Sequence, residues 1–98
     1  MDFKAIIHSH PLVFVDFYAE WCGPCKMMAP TFENLKKKLG DKIRIVKIDV
    51  DKNPKLAAKF NIRSLPTMHI YRDASNVRTI VGALNQKDLE HILSFYIK

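Results

Sequence analysis

Glycine and cysteine are scarce in this chain, with three of the first and two of the second among 98 residues. With only five prolines and no internal repeat, the composition excludes a collagen-like or low-complexity chain. No apolar run approaches the roughly 20 residues of a membrane helix, so a spanning protein is excluded. The first ten residues, MDFKAIIHSH, lack an apolar h-region and a small-residue cleavage site. No secretory signal is therefore expected, and the chain reads as cytoplasmic. Two cysteines cannot make a disulfide framework. They are Cys22 and Cys25, three apart, and closing so small a loop adds little stability. If the pair matters, it matters chemically.

Acidic side chains are outnumbered, 10 against 16 Lys and Arg, for a net charge of +6. Lys36, Lys37, Lys38, Lys42 and Arg44 are grouped and the rest are scattered. No aromatic residues interleave with that group, so it reads as a solvated helix end and not as a nucleic-acid groove. Neither a nucleic acid nor a membrane is expected as a partner. The chain is expected to be a single domain over residues 1–98. At 11.3 kDa it should expose about 5,700 Å² when folded. That buries enough surface for one core without disulfide staples.

Along the chain, Asp2 to His8 fits a short helix with Phe3, Ile6 and Ile7 on one side. LVFVDFY (Leu12–Tyr18) is apolar on both faces apart from Asp16, as a central strand covered on both sides should be. From Cys22 to Leu39 the apolar residues Met28, Phe32, Leu35 and Leu39 recur at helical spacings. Pro30 interrupts this run and predicts a kink there. IRIVKID (Ile43–Asp49) alternates as a second strand. Asn53-Pro54 opens a short helix ending near Asn61, a residue that tolerates the left-handed conformation. Thr67–Arg72 and Asn76–Val81 read as strands joined by Asp73-Ala74-Ser75. Asn85 caps a last helix whose stripe is Leu89, Ile92, Leu93, Tyr96 and Ile97. The β-α-β opening demands a parallel pair and the closing β-β an antiparallel one. The fold class is α/β, with a mixed four-stranded sheet and helices on both faces.

The segment Trp21-Cys22-Gly23-Pro24-Cys25-Lys26 falls where a buried strand ends and a helix begins. A cysteine at a helix N-terminus meets unpaired amides and the positive dipole end, which favours its thiolate. Residues three apart on a helix have α-carbons about 5 Å apart, within the disulfide range. The pair can open and close with little backbone movement. Pro24 suits a first helical turn, and Gly23 leaves room for an incoming disulfide. Cys22 is expected at the exposed edge and Cys25 a turn deeper and shielded. In such a pair the outer thiolate attacks a disulfide, and the inner one resolves the mixed disulfide. The resolving thiol needs a proton acceptor. Asp16 lies six residues before Cys22, and Lys47 on the neighbouring strand is placed to pair with it. Taken singly, Asp16 reads as a solvent-facing strand residue and Lys47 as a snorkelling lysine. A zinc site needs four ligands, and no second C-x-x-C or H-x₃-H is present.

These residues resemble the thioredoxin family from about Val13 to the C-terminus. VDFYAEWCGPCKMMAP (Val15–Pro30) is similar to that family's strand, redox motif and kinked helix in one piece. KIDVDKNP (Lys47–Pro54), RSLPT (Arg63–Thr67) and VGALN (Val81–Asn85) follow in family order. The resemblance implies a thioredoxin-like three-layer α/β/α sandwich. It implies a thiol–disulfide oxidoreductase, a protein-disulfide reductase with Cys22 as nucleophile and Cys25 as resolving thiol. Asp16 is then the buried proton acceptor, Lys47 its neighbour, and Pro66 the family's cis-proline. Trp21, Gly23, Pro24, Leu65, Pro66, Val81, Gly82 and Ala83 are implied as the apolar rim that docks client proteins.

No bound cofactor is implied beyond the Cys22–Cys25 disulfide. Electrons would come from NADPH through a flavoprotein thioredoxin reductase, and the chain is expected to act as a monomer. Several features depart from the family pattern. The N-terminus is about ten residues short of common members, so an edge strand is expected to be missing. Tyr18 stands where Trp is frequent, and Ser64 and Ala74 stand where Gly is common. The alternatives are an exported disulfide oxidase or isomerase, disfavoured by the Gly-Pro dipeptide, and a non-catalytic binding module using the same rim.

Overall fold

The computed structural model describes residues 1–97. Four strands form one mixed sheet in the order β2-β1-β3-β4. They are β1 (Leu12–Tyr18), β2 (Arg44–Asp49), β3 (Thr67–Arg72) and β4 (Ser75–Val81). β1 runs parallel to β2 and antiparallel to β3, and β4 returns antiparallel to β3. The helices are α1 (Phe3–His8), α2 (Gly23–Met27), α3 (Ala29–Leu39), α4 (Pro54–Lys59) and α5 (Gln86–Ser94). A 3₁₀ turn, Gly40–Lys42, leads α3 into β2. The accessible surface is 5999 Å².

The alternation of β1 divides the core in two. Leu12 and Phe14 pack with Phe32 and Leu35 of α3 and with Leu89 and Leu93 of α5. Val13, Val15 and Phe17 face the other way, against Phe3, Ile6 and Ile7 of α1, Leu56 of α4 and Phe60 at its end. This is the three-layer arrangement, because β1 can bury both faces only if helices cover both. His69 is also buried on the second side, edge-on to Phe17 and Phe60, with Nδ1 3.0 Å from the Tyr71 hydroxyl. Burial lowers the His69 pKa and pushes that of Tyr71 up to about 12, so both stay neutral.

Local signals place most boundaries. Asp2 caps α1 and Asn85 caps α5, each accepting a hydrogen bond from a backbone N–H three residues on. Asn61 takes φ 54 after α4, as its side chain permits. Two expectations shift. The long helix does not kink at Pro30 but breaks at Met28, whose N–H donates to the Cys25 carbonyl at 3.1 Å. Pro30 then lies in the first turn of α3, where a missing amide costs nothing. The β3–β4 link is Asp73-Ala74 alone, with φ 50 and 67, and Ser75 already belongs to β4. Paired positive φ values suit the twist of a two-residue hairpin. Ser64, the other position where Gly was expected, avoids positive φ.

Candidate redox site

β1 ends at the middle of the sheet, and its carboxyl end delivers Ala19 to Cys25 into the crevice where ligands of parallel sheets bind. Cys22 is the N-cap of α2, with extended backbone at φ −82 and ψ 111. Its Sγ accepts a hydrogen bond from the Cys25 N–H at 3.2 Å. Pro24 stands in the first turn, as its fixed φ favours. Cys22 and Cys25 are joined as a disulfide with α-carbons 5.3 Å apart. The helix start therefore brings the sulfurs together without distorting the turn.

The expected difference in exposure between the two cysteines is not found. Cys22 is 4% exposed and Cys25 7%. The reason is that Ala19 lies buried with the pair while Tyr18, Val50 and Leu65 pack over it. What differs is the direction each residue faces. Cys22 borders a groove of about 600 Å³ together with Trp21, Gly23, Pro24 and Leu65. Cys25 borders a separate hollow of about 440 Å³ with Tyr18, Lys26 and Lys47.

Asp16 is 1% exposed, and its Oδ1 has no hydrogen-bond partner among the described residues. An unpartnered buried carboxylate is costly as an anion. Burial accordingly pushes the Asp16 pKa from 3.8 up to about 6, against the opposing pull of the Lys47 charge. The solvent-facing reading of Asp16 is thus excluded. Lys47 is its partner in the β1–β2 register. The ion pair that this register allows does not form. The Lys47 ammonium instead lies 5.2 Å from the centre of the Tyr18 ring and 6.0 Å from that of Phe32.

The Leu65–Pro66 peptide bond is cis, and Pro66 is buried. Its carbonyl accepts from the Gly82 N–H at 2.9 Å, and Val81 pairs with Thr67. The expected rim therefore divides. Trp21, Gly23, Pro24 and Leu65 surround the groove beside Cys22. Val81 and Gly82 stand behind Pro66, and exposed Ala83 follows them without lining the groove. Trp21 is 70% exposed and Val81 65%, so the apolar surface of this face is large.

Sequence reasoning missed the far wall, made by Val50, Pro54, Ala57, Ile62 and Arg63. The VDKNP turn was a usable signal, since a turn after a parallel strand emerges at the carboxyl edge of the sheet. It also missed Asp51, whose Oδ2 accepts from the Trp21 Nε1–H at 2.7 Å. Among the described residues no group of three His, Cys, Asp or Glu is placed to hold a metal ion. None of the described helices is long and apolar enough to cross a membrane.

Comparison with known proteins agrees with this geometry. The thioredoxin family model matches residues 1–94. The thioredoxin of Buchnera aphidicola subsp. Baizongia pistaciae is 42% identical over 93 residues, which is 95% of this chain and 85% of that protein. That of Bacillus subtilis is 43% identical over 89 residues, 91% of this chain and 86% of that one. The solution structure of oxidised thioredoxin from Plasmodium falciparum is similar with a TM-score of 0.85 at 40% identity, covering 99% of this chain and 91% of that one.

Proposed function

The chain belongs to the thioredoxin family, and on that premise we propose how its residues divide the work. The activity is that of a protein-disulfide reductase acting by dithiol–disulfide exchange at Cys22 and Cys25. In the reduced chain, the Cys22 thiolate attacks one sulfur of a client disulfide. The client S–S bond breaks, one client thiolate leaves and takes a proton, and a Cys22–client mixed disulfide remains. Cys25 then gives its proton to Asp16, and its thiolate attacks Cys22 Sγ. The second client thiolate leaves, and the Cys22–Cys25 disulfide closes. Two electrons pass from the dithiol to the client, and no other oxidant or reductant enters.

The single observation that carries this assignment is the pair of separate openings. Cys22 faces the groove walled by Trp21 and Leu65, where a client would lie. Cys25 faces the hollow that holds Lys47, the cross-strand partner of Asp16. Asp16, raised to about 6, is a base matched to neutral pH. Lys47 keeps it from rising further. Trp21, Gly23, Pro24, Leu65 and Pro66 dock the client, with Val81, Gly82 and Ala83 extending the apolar rim.

The same reading has the chain work as one domain, since both core clusters share the single sheet. It is a monomer whose Trp21 face serves clients and, in turn, a flavoprotein reductase that returns electrons from NADPH. A reductase role fits the cytoplasm, where thiols are kept reduced. The test is trapping. Cys25→Ser, first reduced and then offered a disulfide client, should accumulate a mixed disulfide at Cys22, and Cys22→Ser should not. Trapping through the wrong cysteine overturns the assignment.

A further inference from the structure

The basic balance of the chain remains unexplained by its chemistry, and the structure shows where part of it collects. Lys52, Lys55 and Lys59 line a hollow of about 500 Å³ floored by Pro54, Leu56 and Met1. Pro54 is also in the wall of the groove beside Cys22, so the two depressions adjoin at that residue. Lys55 and Lys59 are exposed and stand one turn apart on α4. They are neighbours on one helix face. Arg63 lines the groove itself. Its Nε–H donates to Asn61 Oδ1 at 3.0 Å, which leaves the terminal nitrogens of its fork for another acceptor.

Counter-charge on this side gathers around Lys52 and not along α4. Glu20 approaches Lys52 only to 3.9 Å, with both side chains 74% exposed, so that pair contributes little. The Asp51 carboxylate accepts from the neutral Trp21 indole, and Asp49 accepts from the Asp51 and Lys52 N–H groups, so two further carboxylates sit at the Lys52 end. Lys55, Lys59 and Arg63 make no ion pair among the described residues. The uncompensated positive charge beside the groove is therefore that of Lys55, Lys59 and Arg63.

We infer that the Lys52–Lys55–Lys59 hollow docks an acidic stretch of the client lying beside the disulfide to be reduced. This rests on the reductase reading above. An extended peptide advances about 3.3 Å per residue. A carboxylate two to four residues from the client's cysteine thus lies about 7–13 Å from it, on the scale of a step from the groove to its neighbouring hollow. Such spans are comparable to the Debye length of about 10 Å at 0.1 M salt, so the attraction is strong only at low salt. Apolar contact with Pro54 and Leu56 favours a segment that mixes Asp or Glu with an aliphatic residue.

The test uses the full chain, reduced and freed of reductant, and three disulfides. Two are peptides identical except for Glu or Lys at positions two to four from one cysteine, and the third is the small neutral bis(2-hydroxyethyl) disulfide. Rate constants are measured at low salt and at high salt. The acidic peptide should react about 10-fold faster than the basic one at low salt, in the lower range of electrostatic steering. Most of that ratio should vanish at high salt. Lys55→Gln combined with Lys59→Gln should cut the ratio several-fold while the neutral disulfide reacts as before. Lys36→Gln with Lys37→Gln, the same charge change at the far end of α3, should leave the ratio intact.

Equal rates for the two peptides, or an equal loss of preference in both double variants, overturns the proposal. If even the neutral disulfide is not reduced, the redox reading itself has failed, and this docking site falls with it.

Discussion

Asp16 and Lys47 stand opposite each other on adjacent parallel strands, yet the Lys47 ammonium lies 5.2 Å from the centre of the Tyr18 ring and forms no ion pair with the carboxylate. The charge is close enough to restrain the Asp16 pKa but does not neutralise it, so burial prevails and the value rises to about 6. Stability and chemistry both inherit a pH dependence from this arrangement.

For stability, the native state holds a proton on Asp16 between pH 4 and 6 that the unfolded chain has released. Where the native state binds more protons, stability falls as pH rises. The oxidised chain should therefore lose up to about 3 kcal/mol from this group as pH rises from about 4 through about 6. Urea unfolding across that range measures the slope. Asp16→Asn should flatten it and leave the variant more stable than the parent at pH 8. A parent with no slope would mean that Asp16 ionises freely when folded.

For chemistry, Asp16 as the acceptor for the Cys25 proton must be ionised, so the release step should quicken as pH rises through about 6. Asp16→Asn should slow release on the order of 10²-fold and the first attack much less. Rapid mixing with a client disulfide separates the two phases. Equal slowing of both would count against the base. Lys47→Met removes the one charge that holds the Asp16 pKa down, so the inflection should move to higher pH. A downward move would show that Lys47 acts otherwise.

The fold was legible because its signals are local. LVFVDFY shows apolar residues on both faces, and the two core clusters divide along that alternation. Asn61 and Asn85 punctuate helices by side-chain chemistry that a short window contains. The site was legible as residues but not as surfaces. Nothing near Cys22 in the chain says that Leu65 and Val50 fold over it, because both arrive from other elements. The same holds for the Lys47 side chain. Its register partner follows from strand pairing, but its choice of the Tyr18 face over the carboxylate is made by packing.

Trp21 illustrates a contact set wholly by tertiary structure. Its Nε1–H donates to Asp51 across 30 positions of sequence, which fixes an otherwise exposed indole at the groove edge. Asp51→Ala should free the ring. Clients would then bind several-fold more weakly, with the release rate nearly unchanged. Asp51→Asn keeps an acceptor and should restore most of the binding. Trp21 is the only tryptophan, so its fluorescence reports the change directly. An unchanged emission spectrum with unchanged KM would show that the bond does not position the ring.

The hairpin at Asp73-Ala74 offers a gain in stability. Both residues adopt positive φ, 50 and 67. Asp visits this region readily because its short side chain bonds locally, whereas Ala has a Cβ crowded against the next carbonyl, at a cost of about 1–2 kcal/mol. Ala74→Gly removes that crowding but frees the unfolded chain, which returns about 0.4–1 kcal/mol. The difference favours the variant by roughly 0.5–1 kcal/mol. Asp73→Gly should instead destabilise slightly, since the unfolded chain gains the same freedom there and little strain is relieved. Chemical denaturation of the two variants tests the ordering. If Asp73→Gly stabilised more than Ala74→Gly, the strain would lie at the first turn residue and the account given for Ala74 would be wrong.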